Sequence, residues 1–294
     1  MSGGANLPEG VIGPVRMVFL DLDGTALNDQ EQLSTQTLKA LDLLRTHGIP
    51  YTFTSARPAS MMSLYCQQAK IAGPIITLEG AEIRIWKTDS VLWSTPIEKR
   101  LAVELMEFCH LLNVDYTFYT SEAAYFRQDT TRLPRFRSYN EQADKLALLP
   151  VSCHCYQAYP PRFIASRQLL KVCVVSQDAE ALEKLMAFVQ RHPALQAELS
   201  EASTVSIVSR MASKAAAVRL FCEMQNIPLQ DICCFGDYRN DIGMLQQAGY
   251  SVAMGNAPEA VKAAARYVTC SNKDDGVASF IQQYIISATG YSHR

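Results

Sequence analysis

Short apolar runs alternate with helical periodicities at both ends of this chain. That alternation leaves few architectures other than a parallel sheet wrapped by helices. In the first third, Val15–Leu20, Pro50–Thr54 and Pro74–Leu78 read as strands. Thr35–Thr46 reads as a helix, with Leu38, Leu41 and Leu44 at helical spacing, Ser34 as N-cap and Gly48 as stop. Pro58 opens a second helix through about Lys70, since proline suits a first helical position. The last third repeats the rhythm. Ser213–Gln225, Asp241–Ala248, Pro258–Ala265 and Gly276–Ile285 read as helices, and Asp231–Phe235, Tyr250–Ala253 and Tyr267–Thr269 as strands.

The middle breaks the pattern. Glu82–Trp86 and Val91–Trp93 read as a hairpin, Ile97–Leu112 as a helix and Asp115–Tyr119 as a strand. Residues 120–165 read as irregular. Leu169–Ser176 and Thr204–Val208 read as strands around a helix over Ala179–Arg191. The expectation is an α/β protein: a doubly wound, Rossmann-like parallel-sheet core over residues 15–84 and 208–294. Residues 85–207 form an inserted α+β domain, and 1–14 a flexible leader.

Chemistry concentrates at the presumed strand and helix ends. Asp21-Leu22-Asp23-Gly24-Thr25 follows the apolar run Met17–Leu20. Residues i and i+2 of an extended chain share a side, so Asp21 and Asp23 are expected to face one site. Ser55 follows a second strand, Lys214 opens a helix, and Gly236-Asp237-Tyr238-Arg239-Asn240-Asp241 follows a later strand. Ligands of open α/β sheets bind beyond the carboxyl ends of the strands. Converging carboxylates repel unless a cation lies between them. Mg²⁺ suits such a place, because it takes oxygen ligands and only one or two carboxylates. Lys214 adds a fixed positive charge, Ser55 a hydroxyl, and Gly24 lets backbone N–H groups approach an anion. Together they would cradle a phosphate. One carboxylate can then attack phosphorus, and a second can serve the leaving group and the water as acid and base.

Other readings carry less. A net charge of −2 gives no case for nucleic acid or an anionic membrane surface. No apolar run reaches the roughly 20 residues that span a bilayer. The first 14 residues lack the features of a secretory signal, so the nine cysteines are expected in a reducing cytoplasm. No obligate protein partner is evident. Cys153-His154-Cys155 lacks a second ligand pair for structural zinc. Counted from Asp21 as a calcium loop, Ala26 and Gln32 stand where glycine and glutamate belong. Arg127, Arg132, Arg135 and Arg137, interleaved with aromatics, read as a solvated loop.

The ordered set Asp-x-Asp-Gly-Thr, Ser, Lys and Gly-Asp-x-x-Asn-Asp resembles the haloacid dehalogenase-like (HAD) phosphohydrolase superfamily. Thr54-Ser55-Ala56-Arg57-Pro58, Asn256–Lys262 and Asn272–Ala278 are similar to signatures of its Cof-type members, of subclass IIB. The resemblance implies Asp21 as nucleophile and Asp23 as general acid/base. It implies Ser55, Lys214, Gly24 and Asn240 around the phosphate, with Arg57 and Asp241 in support. Mg²⁺ would sit on the Asp21 and Asp237 carboxylates and the Asp23 carbonyl. The inserted domain would be a mobile cap that closes over a small phosphate ester, a sugar phosphate before pyridoxal phosphate or a nucleotide. Two departures stand out: Glu79 where the family usually has asparagine, and Ala56 for glycine. The alternatives are a phosphomutase-like phosphotransferase on the same core, and a non-enzymatic phosphate sensor.

Overall fold

A computed structural model describes residues 14–156, 166–201 and 203–286. The expected leader lies almost entirely outside them, and Pro160-Pro161, which reads as structural punctuation, wholly so. Along the chain run β1 (Met17–Asp21), α1 (Thr35–Thr46), β2 (Tyr51–Thr54), α2 (Ser63–Gln68), β3 (Ile75–Thr77), β4 (Glu82–Ile85) and β5 (Ser90–Ser94). Then come α3 (Lys99–Leu111), β6 (Asp115–Tyr119), β7 (Ala124–Arg127), α4 (Leu133–Lys145), β8 (Cys153–Tyr156), β9 (Lys171–Val175), α5 (Ala179–Arg191), β10 (Leu195–Glu201) and β11 (Thr204–Ser209). The last are α6 (Lys214–Gln225), β12 (Ile232–Gly236), α7 (Ile242–Gln247), β13 (Tyr250–Ala253), α8 (Glu259–Ala264), β14 (Tyr267–Val268) and α9 (Gly276–Phe280).

These elements fall into two compact units. The first comprises 14–56, Tyr65–Ile76 and 213–286. Its parallel strands lie in the order β14-β13-β12-β1-β2-β3. Every residue of β1 and of β12 is buried, as expected where helices cover both faces of a parallel sheet. Chain order reverses between β1 and β12, so their carboxyl ends flank the switch point where such sheets form a crevice. In α1, Thr37, Ala40, Leu41 and Leu44 are the buried stripe, and the Ser34 hydroxyl accepts the Thr37 N–H at 2.9 Å.

The second unit comprises Arg57–Leu64 and Thr77–Ala212. It holds the hairpin β4–β5 and a six-stranded sheet in the order β10-β11-β9-β6-β7-β8, antiparallel except for β7 with β8. Leu105 and Met106 of α3 and Leu185 of α5 share a core with Tyr116, Phe118, Val172 and Val174. Tyr119 and Phe126 instead meet Phe136 of α4.

Several expectations need correction. Residues 120–156 are not irregular; they contain β7, α4 and β8. Pro134 occupies the first turn of α4, where a missing N–H costs nothing. Of the arginines expected in a loop, Arg127 ends β7, Arg132 caps α4, and Arg135 and Arg137 lie within it. Strand β10 was missed; it follows α5 closely and lies at a sheet edge. The helix expected from Pro58 to Lys70 is a short turn at Ala59–Met61 and then α2. The Ser63 hydroxyl donates to the Ser60 carbonyl at 2.6 Å, an alternative to an unbroken backbone ladder. The final helix gives way at Ile281 to a wider turn through Ile286.

Candidate active site

The site lies wholly in the first unit, at the carboxyl ends of β1 and β12. Asp21 ends β1 and is buried. Ser213 caps α6, its hydroxyl accepting the Ala216 N–H at 3.0 Å. That cap places Lys214 at the first helical position, with its ammonium buried. Lys214 Nζ donates to Asp21 Oδ1 at 2.5 Å and to Asp241 Oδ1 at 2.7 Å. Asp241 is fully buried, and its Oδ2 accepts the backbone N–H groups of Asp237 and Tyr238, each at 3.0 Å. Asp241 is thus spent on the loop after β12 and on Lys214.

Asp237 takes its orientation from elsewhere. Thr25 Oγ1 donates to Asp237 Oδ1 at 2.8 Å. Asn256 Nδ2 donates to the Gly24 carbonyl at 2.9 Å and lies 3.4 Å from Asp237 Oδ2. Gly24 sits at φ +78°, and a Cβ there would fall 2.3 Å from Asp237 Oδ2. Any side chain at position 24 would displace the carboxylate. Ser55 follows β2, whose Thr54 is in register with Asp21, and it is fully buried with its N–H on the Ile76 carbonyl at 3.0 Å.

Asp21, Asp237 and Asp241 each offer an oxygen within 4.8 Å of the others. At that separation and an effective dielectric of about 20, two carboxylates repel by roughly 3 kcal/mol. One ammonium cannot neutralise three acids. Burial pushes the Asp21 carboxyl well above the usual range; Lys214 opposes this, and Asp241, Asp237 and Asp23 add to it. Burial, with Asp241 beside it, pushes Asp237 up to about 6. A divalent cation would reverse both shifts. The donors are all hard oxygens. With Asp241 engaged, Asp21 and Asp237 remain as the two carboxylates Mg²⁺ usually takes. The residues present therefore fit that ion.

The sequence-derived residues are brought together unevenly. Asp21, Gly24, Lys214, Asp237 and Asp241 converge, Ser55 follows the register partner of Asp21, and Asn240 stands in the turn Arg239–Asp241. The strand stops at Asp21, and the backbone then turns, with Asp23 at φ −73°, ψ 118° and Gly24 at φ +78°, ψ −2°. Asp23 is exposed and close enough for its charge to help raise the Asp21 carboxyl. Arg57 belongs to the second unit, where its carbonyl accepts the Leu78 N–H at 3.0 Å. Cys153 and Cys155 lie on β8 and join no metal-binding cluster among the described residues. Sequence reasoning missed Thr25 and Asn256 as partners of Asp237, although both stood inside quoted motifs.

A buried lysine bridging two aspartates at a topological switch point, with a third aspartate beside them, is the centre of the site. The family profile described as haloacid dehalogenase-like hydrolase matches residues 18–281, and the chain belongs to that family. Phosphatase YwpJ of Bacillus subtilis is 29% identical over 292 residues, taking in 92% of this chain and 100% of that protein. Pyridoxal phosphate phosphatase YbhA of Escherichia coli is 26% identical over 274 residues, 92% of this chain and 99% of that protein. The structure of the HAD subclass IIB sugar phosphatase BT4131 is similar in fold, with a TM-score of 0.75 at 20% identity over 92% of this chain and 98% of that one. The protein is a phosphatase of this family. Among the described residues, no helix is long and apolar enough to cross a membrane.

Proposed function

We propose that the protein hydrolyses a small phosphorylated metabolite, a sugar phosphate first, through an aspartyl-phosphate on Asp21 and with Mg²⁺ as cofactor. The observation that carries this is Lys214 holding Asp21 Oδ1 and Asp241 Oδ1 at once, beside Asp237. Lys214 fixes one oxygen of Asp21 and leaves the other as the nucleophile. Attack on phosphorus forms the Asp21 O–P bond and breaks the bond to the leaving oxygen. Asp23 gives that oxygen a proton. Water then attacks phosphorus, returns a proton to Asp23, and releases inorganic phosphate and free Asp21. Lys214, Ser55 and the backbone at Gly24 stabilise the phosphoryl oxygens. Bound at Asp21, Asp237 and the Asp23 carbonyl, Mg²⁺ would supply Lewis-acid charge neutralisation. Asn240 and Asp241 order this shell.

Sugar phosphates lead because of the likeness to BT4131; the YbhA likeness keeps pyridoxal phosphate in the panel. The test is phosphate release from a panel of sugar, pyridoxal and nucleotide monophosphates, with Mg²⁺ and with chelator. Release confined to the Mg²⁺ arm, with sugar phosphates leading, supports the reading. A protein inert across the panel contradicts it. Turnover that needs an added acceptor hydroxyl identifies a phosphotransferase instead.

A further inference from the structure

Asn256 is exposed and carries no chemistry of its own, yet its amide joins two parts of the site. Its Nδ2 donates to the Gly24 carbonyl at 2.9 Å and lies 3.4 Å from Asp237 Oδ2. Its Oδ1 accepts the Asn272 backbone N–H at 3.0 Å, which fixes which end of the amide is the donor. Asn272 is itself tied back, its Nδ2 donating to the Leu27 carbonyl at 2.9 Å and to Asp29 Oδ1 at 3.2 Å. The backbone under Asn256 is equally constrained. Thr269 N–H donates to the Ala253 carbonyl at 3.0 Å and Gly255 N–H to the Cys270 carbonyl at 3.1 Å. A Cβ on Gly255 would fall 2.8 Å from Ser271 N, so the two loops press together there. The result is a relay from the 269–272 segment through Asn256 to both the turn after β1 and the carboxylate after β12.

We infer that Asn256 is a positioning residue for the divalent cation, holding the Asp237 carboxylate and the Gly24 turn in one arrangement through a single amide. This rests on the metal-dependent reading above. Thr25 already anchors Asp237 Oδ1, so Asn256 controls the carboxylate's remaining rotation. Partners of this kind orient metal ligands, and losing one costs about 10- to 100-fold in metal affinity. The long 3.4 Å contact and the exposure of Asn256 place the effect at the low end.

The experiment titrates Mn²⁺ into substrate-free wild type, Asn256→Ala and Asn256→Ser, reading free Mn²⁺ by electron paramagnetic resonance. Thermal melts of the metal-free proteins accompany it. The expected result is Mn²⁺ dissociation constants raised about tenfold, with the metal-free melting temperature close to wild type. A purely structural asparagine would lower the melting temperature and leave the Mn²⁺ constant alone. A folded variant that binds Mn²⁺ within twofold of wild type overturns the inference, and the serine variant decides if the alanine variant does not fold. Wild-type protein that binds no Mn²⁺ overturns the metal reading itself.

Discussion

Replacing Lys214 with methionine keeps the side chain's bulk and removes its charge. Two contacts disappear, at 2.5 Å to Asp21 and 2.7 Å to Asp241. At an effective dielectric of about 20, each is a Coulomb term of roughly 6 kcal/mol before desolvation. Burying the three groups consumes much of that, and breaking a buried pair by deleting one partner leaves a net loss of about 3–5 kcal/mol of stability. The catalytic loss is separate. A fixed donor aimed at developing charge is worth about 10²–10³ in kcat. The pH profile shifts as well. Lys214 pulls the Asp21 carboxyl down against burial and its acidic neighbours. Without it Asp21 stays protonated to higher pH, and a protonated carboxyl is no nucleophile. The acid limb of kcat/KM should therefore move up in pH, at equal Mg²⁺. The assay is phosphate release from a generic ester between pH 5 and 9, with folding checked by circular dichroism. A folded Lys214→Met protein with kcat within tenfold of wild type and an unmoved acid limb would refute the reasoning.

Three further outcomes are expected. Gly24→Ala forces a Cβ against Asp237 Oδ2 and strains a φ of +78°, so activity should fall about 100-fold as the carboxylate moves; steady-state kinetics across a Mg²⁺ series reads it. Glu79 pairs with buried Lys171 at 3.3 Å while holding a left-handed φ of 61°. Glu79→Asn relieves about 1 kcal/mol of backbone strain but deletes one charge of a buried ion pair, so denaturant unfolding should show a net loss of about 2 kcal/mol or more. Among the thiols, Cys155 and Cys270 are exposed, burial pushes Cys153 up to about 11, and Cys66, Cys109, Cys233 and Cys234 are buried. At pH 8 a thiol reagent should label Cys155 and Cys270 first, as peptide mapping can show, and reach the buried set only on unfolding.

The parts of this molecule that the sequence disclosed are those where local pattern and tertiary role coincide. Buried strands such as Met17–Asp21 and Ile232–Gly236 are continuous apolar runs, and α1 and α5 carry both caps and a periodic stripe. Helix α4 escaped notice because its buried Phe136, Tyr139 and Ala143, though at helical spacing, are few and stand among charged neighbours. Strands β8 and β10 lie at the two edges of their sheet, where alternation is weakest. Thr25 and Asn256 were invisible as Asp237 partners because the contacts span 212 and 19 residues and neither side chain announces chemistry. Their donors matter only once the fold has placed a carboxylate opposite them.

The most direct measurement of the central proposal is acid quenching during turnover with Mg²⁺ and an active ester, followed by peptide mapping for a phosphoryl adduct. The phosphoryl group should be found on Asp21 in wild type, and Asp21→Asn should be folded, unlabelled and inactive. Phosphorylation at any other residue, or an Asp21→Asn protein that turns over like wild type, would contradict it.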